Sequence, residues 1–346
     1  MFSPQKYARV TPRLRSMYSG LIKPEVFREL ISTSNLDDAF SALRDTPYIE
    51  AIKTKTPEQI QSGAITVYLE RARKIEYYAP KEALALVQAF YREEEARDAL
   101  VIMKAVFEGR NELPILPTMN VEGSLAYRVR REPESLVSLQ RLVEFFEKTW
   151  FKPYAREAYR IATEVKSSDV FLWYPLTLSV LLYSEALRSL PVRTRRDVEK
   201  ILCPYLLYKL VASILNAKAI NIPVRELDKA YGELDVCSFK WKQIRGLYER
   251  DPSVQELLVS IRDVLPQIEL DTKKDYQQAL EDAKRQALRT AYRYSIAAFN
   301  GYPFTPALLA AFLMLAKIEA YDLITILTSI ALRLGHDEYK GLIVTI

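Results

Sequence analysis

Apolar residues recur with the period of an α-helix along nearly all of this chain, and that pattern constrains the fold more than any other feature. Between Leu206 and Leu215 they fall at 206, 207, 210, 211, 214 and 215, a stripe down one helix face. Leu136, Leu139, Leu142, Val143 and Phe146 repeat the pattern, as do Leu323, Ile326, Leu327, Ile330 and Leu334. Strict alternation over a strand's length, the mark of a half-buried strand, is hard to find. Helix starts are punctuated consistently. Thr56-Pro57-Glu58-Gln59 offers a cap, then a proline at the first helical position, then Gln where a capping box wants it. Asp251-Pro252 and Thr305-Pro306 read as the same device, and Ser34 as the cap of a helix carrying Leu36, Phe40 and Leu43. The expected fold class is all-α.

An internal repeat accompanies the helices. Asp98, Leu210 and Asp322 are equally spaced along the chain, and the segments after them, ALVIMKAVF, VASILNAKA and LITILTSIA, coincide in pattern. Ile102–Met103 falls on Ile214–Leu215 and Ile326–Leu327, and a small residue follows in each copy: Ala105, Ala217 and Ser329. Stop signals come after each segment, Gly109 with Pro114, Asn221 with Pro223, and Gly335. Because 346 residues exceed the usual size of one core, three similar helical units are expected, at 1–116, 117–230 and 231–346. A second correspondence, 34–52 with 251–270, pairs two helices that end in Arg-Asp before a proline. Thr46, preceding Pro47, is pushed out of the α region and ends its helix, leaving Tyr48 to cover the end.

Composition then removes most familiar chemistry. With nine glycines, no two of them two or five positions apart, neither a dinucleotide loop nor a phosphate loop has its spacing. A single histidine excludes paired-histidine zinc sites. Cys203 and Cys237 are isolated, so the expectation is two reduced, mostly buried side chains in a cytosolic protein, with one disulfide between them left open. No secretory leader is read in MFSPQKYARV, which lacks an apolar core. The apolar runs Val170–Tyr183 and Pro306–Ala316 are both too short to span a bilayer and read as buried helices.

Few residues nominate a site. His336, after Gly335, is expected to meet a helix C-terminal dipole. The run Glu93-Glu94-Glu95 reads as a solvated face, since adjacent helical residues point different ways. The 22 tyrosines read as packing aromatics. Two basic clusters remain. The segment up to Leu30 holds Lys6, Arg9, Arg13, Arg15, Lys23 and Arg28 against Glu25 and Glu29, and Arg193, Arg195 and Arg196 follow Pro191. Arg9, Arg13, Arg15, Arg193, Arg195 and Arg196 are the candidate partner-binding residues, for acidic side chains or anionic headgroups.

Several stretches carry a family resemblance. Tyr7-Ala8-Arg9, Arg13-Leu14-Arg15-Ser16-Met17, Leu21 to Phe27, the string Leu43-Arg44-Asp45-Thr46-Pro47-Tyr48, Pro303-Phe304, Leu308 to Gly335 and Leu342-Ile343 resemble the C subunit of archaeal A-type and bacterial V-type ATP synthases. That family includes the d subunit of the eukaryotic vacuolar proton pump. Residues 120–200 match only as helical filler, and the family's Asn-Leu and Arg in the repeated helix are replaced here, the Arg position reading Lys104, Asn216 and Thr328. The resemblance implies a non-catalytic part without cofactors. It implies three helical domains forming a pseudo-threefold funnel on the cytoplasmic end of the proteolipid ring, peripheral to the membrane, with the central stalk plugged into its cavity. The alternative from composition alone is an α-helical nucleic-acid-binding protein or other interaction scaffold, on a net charge of +5 and the Tyr and Arg content.

Overall fold

The computed structural model describes residues 4–110 and 112–346; residues 1–3 and 111 of the first expected unit lie outside them. The chain is all-α, with one two-stranded hairpin at Asp235–Val236 and Phe239–Lys240 among the described residues. Cys237 and Ser238 both have φ > 0, as the tight turn of such a hairpin requires.

Six long helices form three antiparallel hairpins. The lead helices are Pro57–Glu76, Val170–Ser189 and Tyr276–Phe299; the return helices are Leu84–Phe107, Val192–Ala219 and Pro306–Ala331. Three short helices precede each lead helix: Pro24–Ser32, Leu36–Ala42 and Tyr48–Ala51, then Leu125–Arg131, Leu139–Phe146 and Lys152–Val165, then Val224–Tyr231, Trp241–Glu249 and Val254–Val264. The helices Thr11–Ser19 and His336–Lys340 stand before and after this series.

The return helices end at Phe107, Ala219 and Ala331, evenly spaced along the chain, and the same geometry closes each. The backbone turns left-handed at Gly109, Asn221 and Arg333, with φ of 70°, 57° and 57°. The next amide donates to the carbonyl of the small residue five back: Arg110 to Ala105 (2.9 Å), Ile222 to Ala217 (2.8 Å) and Leu334 to Ser329 (3.0 Å). This is the Schellman closure, which satisfies carbonyls that the helix leaves orphaned. Arg333, not Gly335, is therefore the third stop, and Asp98, Leu210 and Asp322 lie deep inside the return helices.

Packing joins the hairpins in sequence and then closes them. The first return helix lies against the second lead helix, the second return helix against the third lead helix, and the third return helix against the first lead helix. Ser179 reaches Glu93 (2.8 Å) while Asp169 reaches Lys104 (3.4 Å), so lead and return helices run antiparallel across the joint too. All three return helices consequently run the same way, and the three intra-hairpin turns share one end of the bundle.

Local details differ from the sequence expectations in ways that capping explains. Asn35, not Ser34, caps Leu36–Ala42, its carbonyl accepting from the Asp38 amide. Ser253, not Asp251, caps Val254–Val264 in a reciprocal box with Glu256. His336 opens a short helix at its N-terminal end instead of closing one, and is exposed. Tyr48 does not lie over a helix end at the surface but is fully buried, its hydroxyl donating to Glu319 at 2.7 Å. Cys203 and Cys237 are joined in a disulfide that ties the strand turn to the second return helix, so the reduced reading is replaced. The apolar run from Val170 extends into a 20-residue helix, long and apolar enough to cross a membrane, yet most of it is buried against the first and second return helices.

Candidate docking surface

At the centre of the bundle the run Glu93-Glu94-Glu95 is buried, not solvated. The first return helix is surrounded by other helices, so the diverging directions of adjacent residues all lead inward. Glu93 accepts from the hydroxyls of Ser179 (2.8 Å), Tyr183 (3.0 Å) and Tyr205 (2.7 Å), and pairs with Lys209 (3.1 Å) and Lys317. Glu94 pairs with Lys317 (3.0 Å) and Arg97 (2.8 Å) and accepts from Tyr321 (2.8 Å). Glu95 turns to Arg73 (3.0 Å) and the Trp150 indole (3.1 Å).

The repeat explains why these groups meet. Glu93, Tyr205 and Lys317 occupy one position of the repeat, and Arg97, Lys209 and Tyr321 another. Positions equivalent by repeat converge where three parallel helices face one another, and here they have diverged into acid, phenol and base. With Asp98 beside Arg97 at 3.5 Å, three carboxylates face three cations. Burial pushes the Glu93 carboxyl up, but the Lys317 and Lys209 ammoniums and the hydrogen bonds overcome it and hold the group well below its usual range. Lys317 is correspondingly held well above the ordinary lysine value by Glu93 and Glu94, against the opposing effect of its own burial. Charges this well matched and this dry do not bind a partner; they fix how the hairpins sit on one another.

The two basic clusters meet at the turn end. Arg193, Arg195 and Arg196 lie in the first turn of the second return helix. The helix Thr11–Ser19 lies across the other two turns: the Thr11 hydroxyl donates to the Pro303 carbonyl (3.0 Å), Tyr18 stacks on Phe299 with ring centroids 4.1 Å apart, and the Arg13 guanidinium sits 3.6 Å above the Tyr78 ring. Lys6 pairs with Glu82 at 3.0 Å, tying the preceding segment to the first turn. A groove of about 270 Å³ between the second and third turns is lined by Lys200, Ile201, Ala298, Gly301 and Tyr302. The long stretch of chain between the two clusters hid this juxtaposition; the parallel course of the return helices creates it.

The six candidate arginines differ in what holds them. Arg195 is half-buried, and its guanidinium donates to the Arg188 and Leu190 carbonyls, both at 3.1 Å, which closes the second lead helix. Arg9, Arg13, Arg15, Arg193 and Arg196 are exposed, and among the described residues none of them has a carboxylate within ion-pair distance. Elsewhere exposed arginines are commonly paired, as Arg156 is with Glu147 and Arg262 with Asp263 at 2.8 Å. At these arginines the surface presents positive charge.

No curated protein matches the chain significantly. A family model does: it matches residues 10–342, nearly the whole chain, and it describes the ATP synthase (C/AC39) subunit. With an all-α fold of matching extent, the chain belongs to the C/AC39 subunit family of A/V-type ATP synthases.

Proposed function

We propose that this protein is the non-catalytic coupling part of the rotor. In this reading it sits on the cytoplasmic end of the proteolipid ring, peripheral to the membrane, and receives the central stalk, so that torque passes between ion flow and the ATP-processing head. The observation that carries the reading is the end-to-end family match on a chain built from three hairpins closed on one another. The repeated order of three short and two long helices supports three units; of the expected bounds 1–116, 117–230 and 231–346, the last cuts the helix Val224–Tyr231, which by that order opens the third unit. Packed around the shared charge cluster, they would widen into a funnel. Arg9, Arg13, Arg15, Arg193 and Arg196 give the turn end a positive charge that meets negative charge at the membrane face of the complex, and Arg195 positions that end.

Assembly tests this. The purified chain is mixed with the central-stalk subunits and the detergent-solubilised ring, and co-migration is followed by size-exclusion chromatography. A ternary complex that weakens with salt is expected. A folded chain that binds neither partner at low salt would end the reading.

A further inference from the structure

We propose that the turn end is an interfacial surface for a bilayer rich in anionic lipid, a contact separate from those with ring and stalk. Each of the three turns lifts one large apolar side chain into solvent: Tyr77 is 83% exposed, Val192 70% and Tyr302 59%. Around these tips stand Lys81 and five exposed arginines, at 9, 13, 15, 193 and 196, with no carboxylate paired to any of them among the described residues.

The helix starts beside the tips are nearly level. Glu93, Tyr205 and Lys317 mark one height, because they touch. The return helices begin at Leu84, Val192 and Pro306, each a few helical turns before its member of that trio. From the α-helical rise, the starts stand roughly 14, 20 and 17 Å above the contact. A spread of about 6 Å is close to the depth of a headgroup layer. Separate tips at one height suit a plane better than a groove on a folded partner. The chemistry agrees: a phenol is apolar at its body and wet at its tip, and unpaired cations attract a leaflet of negative potential. Repulsion among these cations is relieved when phosphates come between them.

The test is co-sedimentation of the full chain with phosphatidylcholine vesicles and with vesicles of phosphatidylcholine and phosphatidylglycerol in equal parts. Binding is expected to the mixed vesicles alone, and to fall as salt is raised. Arg193→Gln with Arg196→Gln should weaken it about fivefold per charge removed. Tyr77→Ser with Tyr302→Ser should leave a weaker, more salt-sensitive association. Arg333→Gln with Lys340→Gln, at the opposite end, should change nothing, and circular dichroism checks that each variant folds. Absence of binding to the mixed vesicles, equal binding to both, or equal loss in the opposite-end variant would overturn the proposal. Retention on immobilised polyglutamate without vesicle binding would also overturn it and assign the surface to an acidic protein. Vesicle binding can fail while the ternary complex forms, so the two readings are judged apart.

Discussion

Lys317→Met removes the cation on which the central cluster turns. The ammonium is 1% exposed and pairs with two carboxylates that are themselves almost wholly buried. Removing one partner from a buried pair costs about 3–5 kcal/mol, because the other charge stays desolvated. Here Glu93 keeps Lys209 and three hydroxyls, and Glu94 keeps Arg97 and Tyr321. Those survivors place the loss near the lower bound, about 3 kcal/mol at pH 7. The pH dependence carries the sign. In the native protein Glu93 is held below its ordinary value of 4.5, so it adds stability above that value and loses it as pH falls through it toward the native pKa. Without Lys317, burial meets less opposition, so Glu93 binds its proton more tightly in the folded state than it does in the parent, and protonation at low pH costs the variant less. Relative to the parent, the deficit should therefore shrink from pH 7 to pH 4. Urea unfolding followed by tryptophan fluorescence at several pH values measures it, and Glu93→Gln with Lys317→Met should recover part of the loss. A deficit under about 1 kcal/mol, or one constant between pH 7 and 4, would refute a buried, mutually dependent cluster.

Three other substitutions probe separate features. Asp322 accepts the Val344 amide at 3.0 Å and the Thr345 amide at 2.9 Å, yet burial outweighs those bonds and raises its carboxyl from 3.8 to about 6. Its contribution is fully present below the unfolded value and lost as pH rises through about 6, ~3 kcal/mol in all; the stability difference between the parent and Asp322→Asn should follow that curve, and a flat difference from pH 4 to 7 would contradict it. The disulfide joins positions with a sequence separation of 34, so Cys203→Ser with Cys237→Ser should cost about 4 kcal/mol in urea unfolding without reductant, whereas an unchanged midpoint would mean that the thiols are not joined. Gly109 has φ of +70° and open space where a Cβ would stand, so Gly109→Ala should cost about 1 kcal/mol through backbone strain alone; a neutral result in thermal unfolding would contradict a left-handed closure there.

What the sequence made legible was whatever depends on periodicity. The all-α class followed from the stripes, and the small residues at 105, 217 and 329 turned out to supply the carbonyls that close the return helices. Single-residue chemistry was read less well. Ser253-x-x-Glu256 is a capping box that outcompetes Asp251-Pro252 two residues before it, and Asn35 caps as well as any serine. Sequence and structure diverge most at Glu93-Glu94-Glu95. A charge run is solvated when its helix has an outer face, and nothing local says that this helix has none. The repeat did contain the signal: one step of it from Glu93 reaches Tyr205, and a second step reaches Lys317, a lysine directly after one of the most apolar runs of the chain. The meeting of the two basic clusters, and of Cys203 with Cys237, rests on how hairpins and turns dock, which spacing does not encode.

Coupling is the central claim, and ion uptake measures it most directly. Membrane vesicles carrying the rotary complex, stripped of this protein, are supplied with ATP while hydrolysis and ion accumulation are recorded together. Loss of accumulation on stripping, restored by adding back the purified chain in proportion to the amount rebound, is the result predicted. Accumulation that persists without the protein, or that fails to return when the chain has rebound, would contradict the account.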